Sequence, residues 1–200
     1  LGVHWFHYGQ SIMPPFIERE PVNKAESDNV LVYMPFEELS EVVELLETQL
    51  DQEFVLYHPS ISAAQTINNI TYRVACRQGF LSDLERSKGV IANAGFELSS
   101  EALCSGKKLL LKPLQGQFEQ ESNAETLRSL GLATVIKGLD ESELERWLEL
   151  PANEAINYPS DPMPVVDWLI SGDHTKPEIL CQQLWKSISL PQFSRSVWSK

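Results

Sequence analysis

Between Val30 and Ile136 the chain repeats one unit: a short apolar run, a turn, then an amphipathic stretch. The runs are Val30–Met34, Phe54–Tyr57, Ile70–Val74, Val90–Ala92, Leu109–Leu111 and Thr134–Ile136. Runs this short, with little polar alternation, are strands covered on both faces. The stretches between them carry helical spacing. Ser40 opens one with Val42, Val43, Leu46 and Leu50 on a face; others run from Leu81 to Arg86 and from Glu97 to Cys104, the latter closed by Gly106. A fourth, Glu119 to Leu130, turns Ala124, Leu127 and Leu130 inward, and Asp140 with Glu143 caps a fifth bearing Leu144, Trp147 and Leu148. Strand–helix alternation of this kind predicts an α/β fold, a doubly wound parallel sheet with helices on both faces.

The flanks read differently. Leu1 to Asp28 holds aromatics, then Pro14-Pro15, then polar residues, which predicts a linker and the end of a preceding element. Residues 29–150 form the α/β domain. Residues 151–200 contain no further strand and predict a helical C-terminal tail, Asp161 to Ile170 and Pro177 to Ser189. Its expected core residues are Val165, Val166, Trp168, Leu169, Ile179, Leu180, Leu184 and Ile188.

Composition removes several functions. With 28 acidic and 16 basic residues among 200, the net charge is −12, which opposes binding to nucleic acid or anionic lipid. Three scattered cysteines make no disulfide framework or metal pair, and point to a reducing, cytoplasmic setting. No apolar stretch reaches the roughly 20 residues of a membrane span, nor is there a signal peptide. The sequence opens at Leu1 without methionine, which predicts a fragment of something longer.

In open α/β sheets, ligands collect where strands run into helices at their carboxyl ends. After Val90–Ala92 come Asn93-Ala94-Gly95-Phe96 and a helix, so small residues let a ligand approach free helix N–H groups. Glu101, about a turn further on, can accept two hydrogen bonds from vicinal hydroxyls. On residues alone the segment reads also as a tight βα turn with a solvent-facing glutamate, the commoner case. The next strand leads into Lys112–Ala124, whose Gln115, Gln117, Glu119, Gln120 and Asn123 suit hydroxyl recognition, or equally a polar loop and an acidic helix start. His4 and His7 share a face without a third ligand nearby, Cys104 lacks a base, and His58 stands at a strand end; none makes a strong site.

The ordered set Gly95, Glu101, Ala102-Leu103, Gly106, Leu109–Leu111, Pro113, Glu119-Gln120, Asn123-Ala124 and Leu130-Gly131 resembles the donor-binding, Rossmann-like half of GT-B glycosyltransferases. The likeness is closest to uncharacterised bacterial and archaeal glycosyltransferase-like proteins. It extends more distantly to the peptidoglycan N-acetylglucosamine transferase and plant UDP-sugar transferases. It implies that Glu101 holds ribose hydroxyls, that Asn93, Ala94, Gly95 and Phe96 lie against a diphosphate, and that Phe80, Leu81 and Leu84 seat the base. Gln117, Glu119, Gln120 and Asn123 would line the transferred sugar.

The implied function is transfer of a hexosyl group, from a UDP-sugar, to an acceptor hydroxyl. The general base would belong to an absent N-terminal acceptor domain, which would also carry any peripheral membrane association, and the fragment alone would be inactive. With no Asp-x-Asp pair, donor binding is expected to be metal-independent, without a cofactor. Two departures stand out: Met34-Pro35-Phe36-Glu37 replaces the Gly-Gly-Ser turn of many relatives, and Asn93 stands where plant relatives carry histidine. A sugar-nucleotide 2-epimerase-like enzyme and a non-catalytic binding module are the rival readings.

Overall fold

The apolar runs become strands whose alternate residues face opposite layers of helix. A computed structural model describes residues 1–18, 27–172 and 174–188. Two short strands, β1 (Gly2–Val3) and β2 (Ile12–Met13), pair in parallel ahead of the main sheet. The domain then runs β3 (Val30–Tyr33), α1 (Leu39–Glu47), β4 (Phe54–Tyr57), β5 (Gln65–Ile67), β6 (Ile70–Arg73) and α2 (Arg77–Arg86). It continues β7 (Gly89–Ala92), α3 (Phe96–Cys104), β8 (Lys108–Leu111), α4 (Phe118–Ser129), β9 (Thr134–Val135) and α5 (Glu141–Leu148). Two helices, α6 (Met163–Ser171) and α7 (Pro177–Lys186), follow.

The main sheet has the order β5-β6-β4-β3-β7-β8-β9, parallel except at the β5–β6 edge. β3 lies at the centre, and the chain winds outward from it first on one side, then on the other. The switch point therefore falls between β3 and β7. Register aligns the four central strands: Val30 pairs with both Phe54 and Gly89, and Gly89 with Lys108. Their last residues, Tyr57, Tyr33, Ala92 and Leu111, consequently end on one line.

Because strand side chains alternate, two cores form. Leu31, Val55, Val90 and Leu109 pack with Leu84 of α2, Leu103 of α3 and Leu127 of α4. Val30, Val32, Leu56 and Leu110 pack on the other face with Val42 and Leu46 of α1 and Leu144 and Trp147 of α5. The doubly wound α/β expectation is met, with one antiparallel edge strand it did not include.

The flanking segments are held by specific bonds. Trp5 is fully buried, its Nε1 donating to Ser100 Oγ at 2.9 Å and its ring 4.5 Å from that of Phe96. Ile17 is buried in the same core, and its N–H donates to Pro159 O. Trp185 Nε1 on α7 donates to Ile12 O at 2.7 Å. The tail expectation needs correction at α6, which buries nothing: Leu169 and Ile170 are exposed, as is Ile179 on α7, whereas Leu180, Cys181 and Leu184 are covered. Ser189, the expected helix end, lies outside the described residues.

Candidate functional site at the carboxyl edge of the sheet

The common register brings the residues that follow β4, β7 and β8 to one edge: His58, Asn93 and Lys112. The turn after β3 adds Glu37. Lys112 Nζ donates to both Glu37 carboxylate oxygens at 2.7 Å, and both side chains are largely covered. Asn93 Nδ2 donates to Glu37 Oε1 and to Lys112 O, each at 3.0 Å. His58 Nδ1 accepts from Ser60 N at 3.1 Å, which leaves Nε2 protonated to donate to Glu37 O at 3.0 Å. Glu37 thus ties four sheet connections together, its carboxylate holding Asn93 and Lys112 and its backbone carbonyl holding His58. Neither Glu37 nor Lys112 was among the sequence candidates. Their signal was position: each is the first charged residue after an apolar strand's end.

Gly95 caps α3 without any side chain over the helix end, and its own N–H is taken by Asn93 O at 2.8 Å. The amides of the first turn, beginning at Phe96, have no acceptor inside the helix. Around Gly95 there is open space: a Cβ placed there would meet nothing within 4 Å. A surface of N–H groups and a positive dipole end is thereby presented at the switch point, a setting that favours anions. Glu101 lies half-buried one turn and a half along the same helix. Ala94 is fully buried and offers backbone only.

The second patch packs against the first, joined by Asn123 Nδ2 donating to Ala94 O at 3.0 Å. Asn123 and Gln120 are both buried, and Gln120 Oε1 accepts the Leu114 N–H, holding the loop before α4. These two side chains shape the site from behind. Gln117 and Glu119 are exposed and face solvent at the α4 entrance.

Phe80 and Leu81 are half-buried on α2, where Phe80 meets Tyr33 and Tyr57 edge-on at 5.4 and 5.1 Å. Leu84 is fully buried in the core and presents no surface to a base, a correction that follows from its inward helical position. Tyr57 Oη donates to Asp83 Oδ2 at 2.7 Å, and Arg73 Nε lies 3.3 Å from the same oxygen. Burial first, then the bond and charge of Asp83, push the Tyr57 phenol well above its ordinary pKa. Among the described residues, no three His, Cys, Asp or Glu side chains are placed to hold a metal ion.

The profile of Glycosyl transferase family 1 matches residues 7–151, well over half of the chain. The chain belongs to that family. Its fold is shared with three solved glycosyltransferases. The glycotransferase of kitacinnamycin is 20% identical with a TM-score of 0.51, over 70% of this chain and 41% of its own. The spinosyn forosaminyltransferase SpnP is 16% identical at 0.52, over 80% and 50%. CalG4, the calicheamicin glycosyltransferase, is 15% identical at 0.51, over 97% and 45%. The family 1 chain therefore spans about half the length of these proteins or less, and its sheet is the Rossmann-like half of the GT-B fold. No curated protein sequence matches it. Among the described residues, no helix is long and apolar enough to cross a membrane.

Proposed function

We propose that this chain is the donor-side half of a glycosyltransferase and binds a nucleoside diphosphate sugar, a UDP-hexose, at the β3/β7 switch point. The observation that carries the reading is the uncapped start of α3 opening beside Gly95 in a chain of this family. The diphosphate lies against the amides of the α3 first turn, and Glu101 accepts the ribose hydroxyls. The base sits toward Phe80 and Leu81, and the exposed Gln117 and Glu119 meet the transferred sugar. Binding is metal-independent, and the setting is cytoplasmic.

Chemistry follows from that arrangement. An acceptor hydroxyl attacks the anomeric carbon, the bond from that carbon to the β-phosphate oxygen breaks, and the nucleoside diphosphate leaves. Its growing negative charge is met by amides fixed in place before reaction, which is how preorganised donors lower such a barrier. The base that takes the acceptor proton comes from a partner half that brings the acceptor, so the chain alone binds donor without turnover. Net charge of −12 does not oppose this, because the helix end supplies positive potential locally.

Calorimetric titration with uridine diphosphate tests the reading. Binding in the micromolar to millimolar range is expected, weakened about tenfold or more in Glu101→Ala as a charged hydrogen-bond acceptor is lost. Equal binding by the variant, or none by the unaltered chain at millimolar ligand, overturns it.

A further inference from the structure

Asn93 stands where a phosphate contact was expected, yet its side chain has no proton left to give. Both Nδ2 hydrogens are spent, one on Glu37 Oε1 and one on the Lys112 carbonyl. Turning the amide over would set Oδ1 against that carboxylate and that carbonyl, so the orientation is fixed by charge as well as by geometry. Oδ1 is the atom left over. It is buried, in a residue only 6% exposed, and has no hydrogen-bond partner among the described residues. Buried amide oxygens are nearly always satisfied, and a bare one invites a donor from outside the chain.

A phosphate cannot supply that donor, because its ionised oxygens carry lone pairs only. A sugar hydroxyl can. Building on the nucleotide-sugar reading above, we infer that Asn93 Oδ1 accepts a hydrogen bond from a hydroxyl of the transferred sugar, and that Glu37 and Lys112 are positioning residues that hold the amide in this sense. The diphosphate is then left to the α3 backbone amides alone. The oxygen is closed to solvent, whereas Gly95, two residues on, borders open space; the contact therefore forms as a sugar nucleotide seated beside Gly95 shifts the turn. The Glu37 carboxylate, at the turn where a glycine-rich loop would approach a phosphate, serves instead to orient this acceptor.

The experiment is a calorimetric comparison of UDP, UDP-glucose and UDP-galactose on the 200-residue chain, its Asn93→Leu and Asn93→Ala variants, and Glu37→Ala. At least one sugar nucleotide is expected to bind the unaltered chain more tightly than UDP. Both Asn93 variants should lose that preference, about tenfold, with UDP binding unchanged within about twofold. Glu37→Ala, which loosens the amide without removing Oδ1, should weaken the preference by less. Parallel thermal melts confirm that each variant is folded. Equal losses for UDP and for the sugar nucleotides, unchanged binding of all three, or no preference in the unaltered chain overturns the inference while leaving the nucleotide reading intact. No binding of any ligand by the unaltered chain overturns both.

Discussion

Single residues show how tightly the site's scaffold is built. Gly89 opens β7 facing Trp147 and Lys108, and an added Cβ would come within 2.9 Å of each. Both neighbours are buried, and the Lys108 ammonium is pinned by the carbonyls of Trp147, Leu148 and Leu150 at 2.6–3.1 Å. Gly89→Ala should therefore cost roughly 1–3 kcal/mol of stability, read from denaturant unfolding. Lys108 also carries a pH signature. Burial first, then the like charge of Lys88, lowers its pKa from 10.5 to about 8. Between those values the unfolded chain holds the proton more readily than the folded one, so this group's contribution to stability rises as pH rises through the window. Melting curves of the unaltered chain and Lys108→Met, compared from pH 7.5 to 10.5 or so, should show that rise only where lysine is present.

At the scale of elements, the Glu37–Lys112 pair joins the β3–α1 turn to the β8–α4 loop, across 75 positions of sequence. Removing one partner strands the other charge in a covered site. Lys112→Met should destabilise by about 3 kcal/mol, and the double variant Glu37→Gln/Lys112→Met by less, because it leaves no unpaired ion. A double-mutant cycle in thermal unfolding measures the difference. The pairing also marks where sequence reading stops. Strands β3, β4, β7 and β8 were legible because full burial writes them as unbroken apolar runs, and α3 and α4 because helical spacing and terminal glycines delimit them. β5 was not: Gln65, Thr66 and Ile67 are all exposed, so no apolar pattern records that edge. The outward α6 face was misread because apolar spacing alone does not say whether anything covers it. Glu37 and Lys112 meet only through strand register, which no local pattern contains. For the same reason the inward roles of Gln120 and Asn123 stayed hidden, since a buried amide and a ligand-facing one look alike in sequence.

The whole molecule is closed by contacts between its distant ends. The segment after α5 crosses the end of α3, where Ile156 N donates to Leu103 O and Asn153 Nδ2 donates to Lys107 O. Gly106 permits that crossing. It holds φ at +66°, and a Cβ there would lie 3.1 Å from Asn153 O. The strap then meets the chain's first residues at Ile17, and α7 meets them at Ile12. Trp5, Ile17, Ile156 and Tyr158 thus pack with Ala102 and Leu103 of α3 and with Ala124 and Leu127 of α4, the helices whose first turns border the candidate site.

One contact in that closure has an optical consequence. Trp5 touches Phe96, the first residue of the helix end proposed to receive the diphosphate, and its indole N–H is fixed to Ser100. Indole emission responds to the local field, and a dianion seated one residue from its stacking partner changes that field steeply over a few ångströms. Titration with uridine diphosphate should shift the tryptophan emission, and Trp5→Phe should abolish most of the shift while leaving calorimetric binding measurable. A shift that survives the substitution would assign the signal to another indole. With Trp5 as its source, the protein carries a built-in gauge of occupancy that needs no label and no turnover.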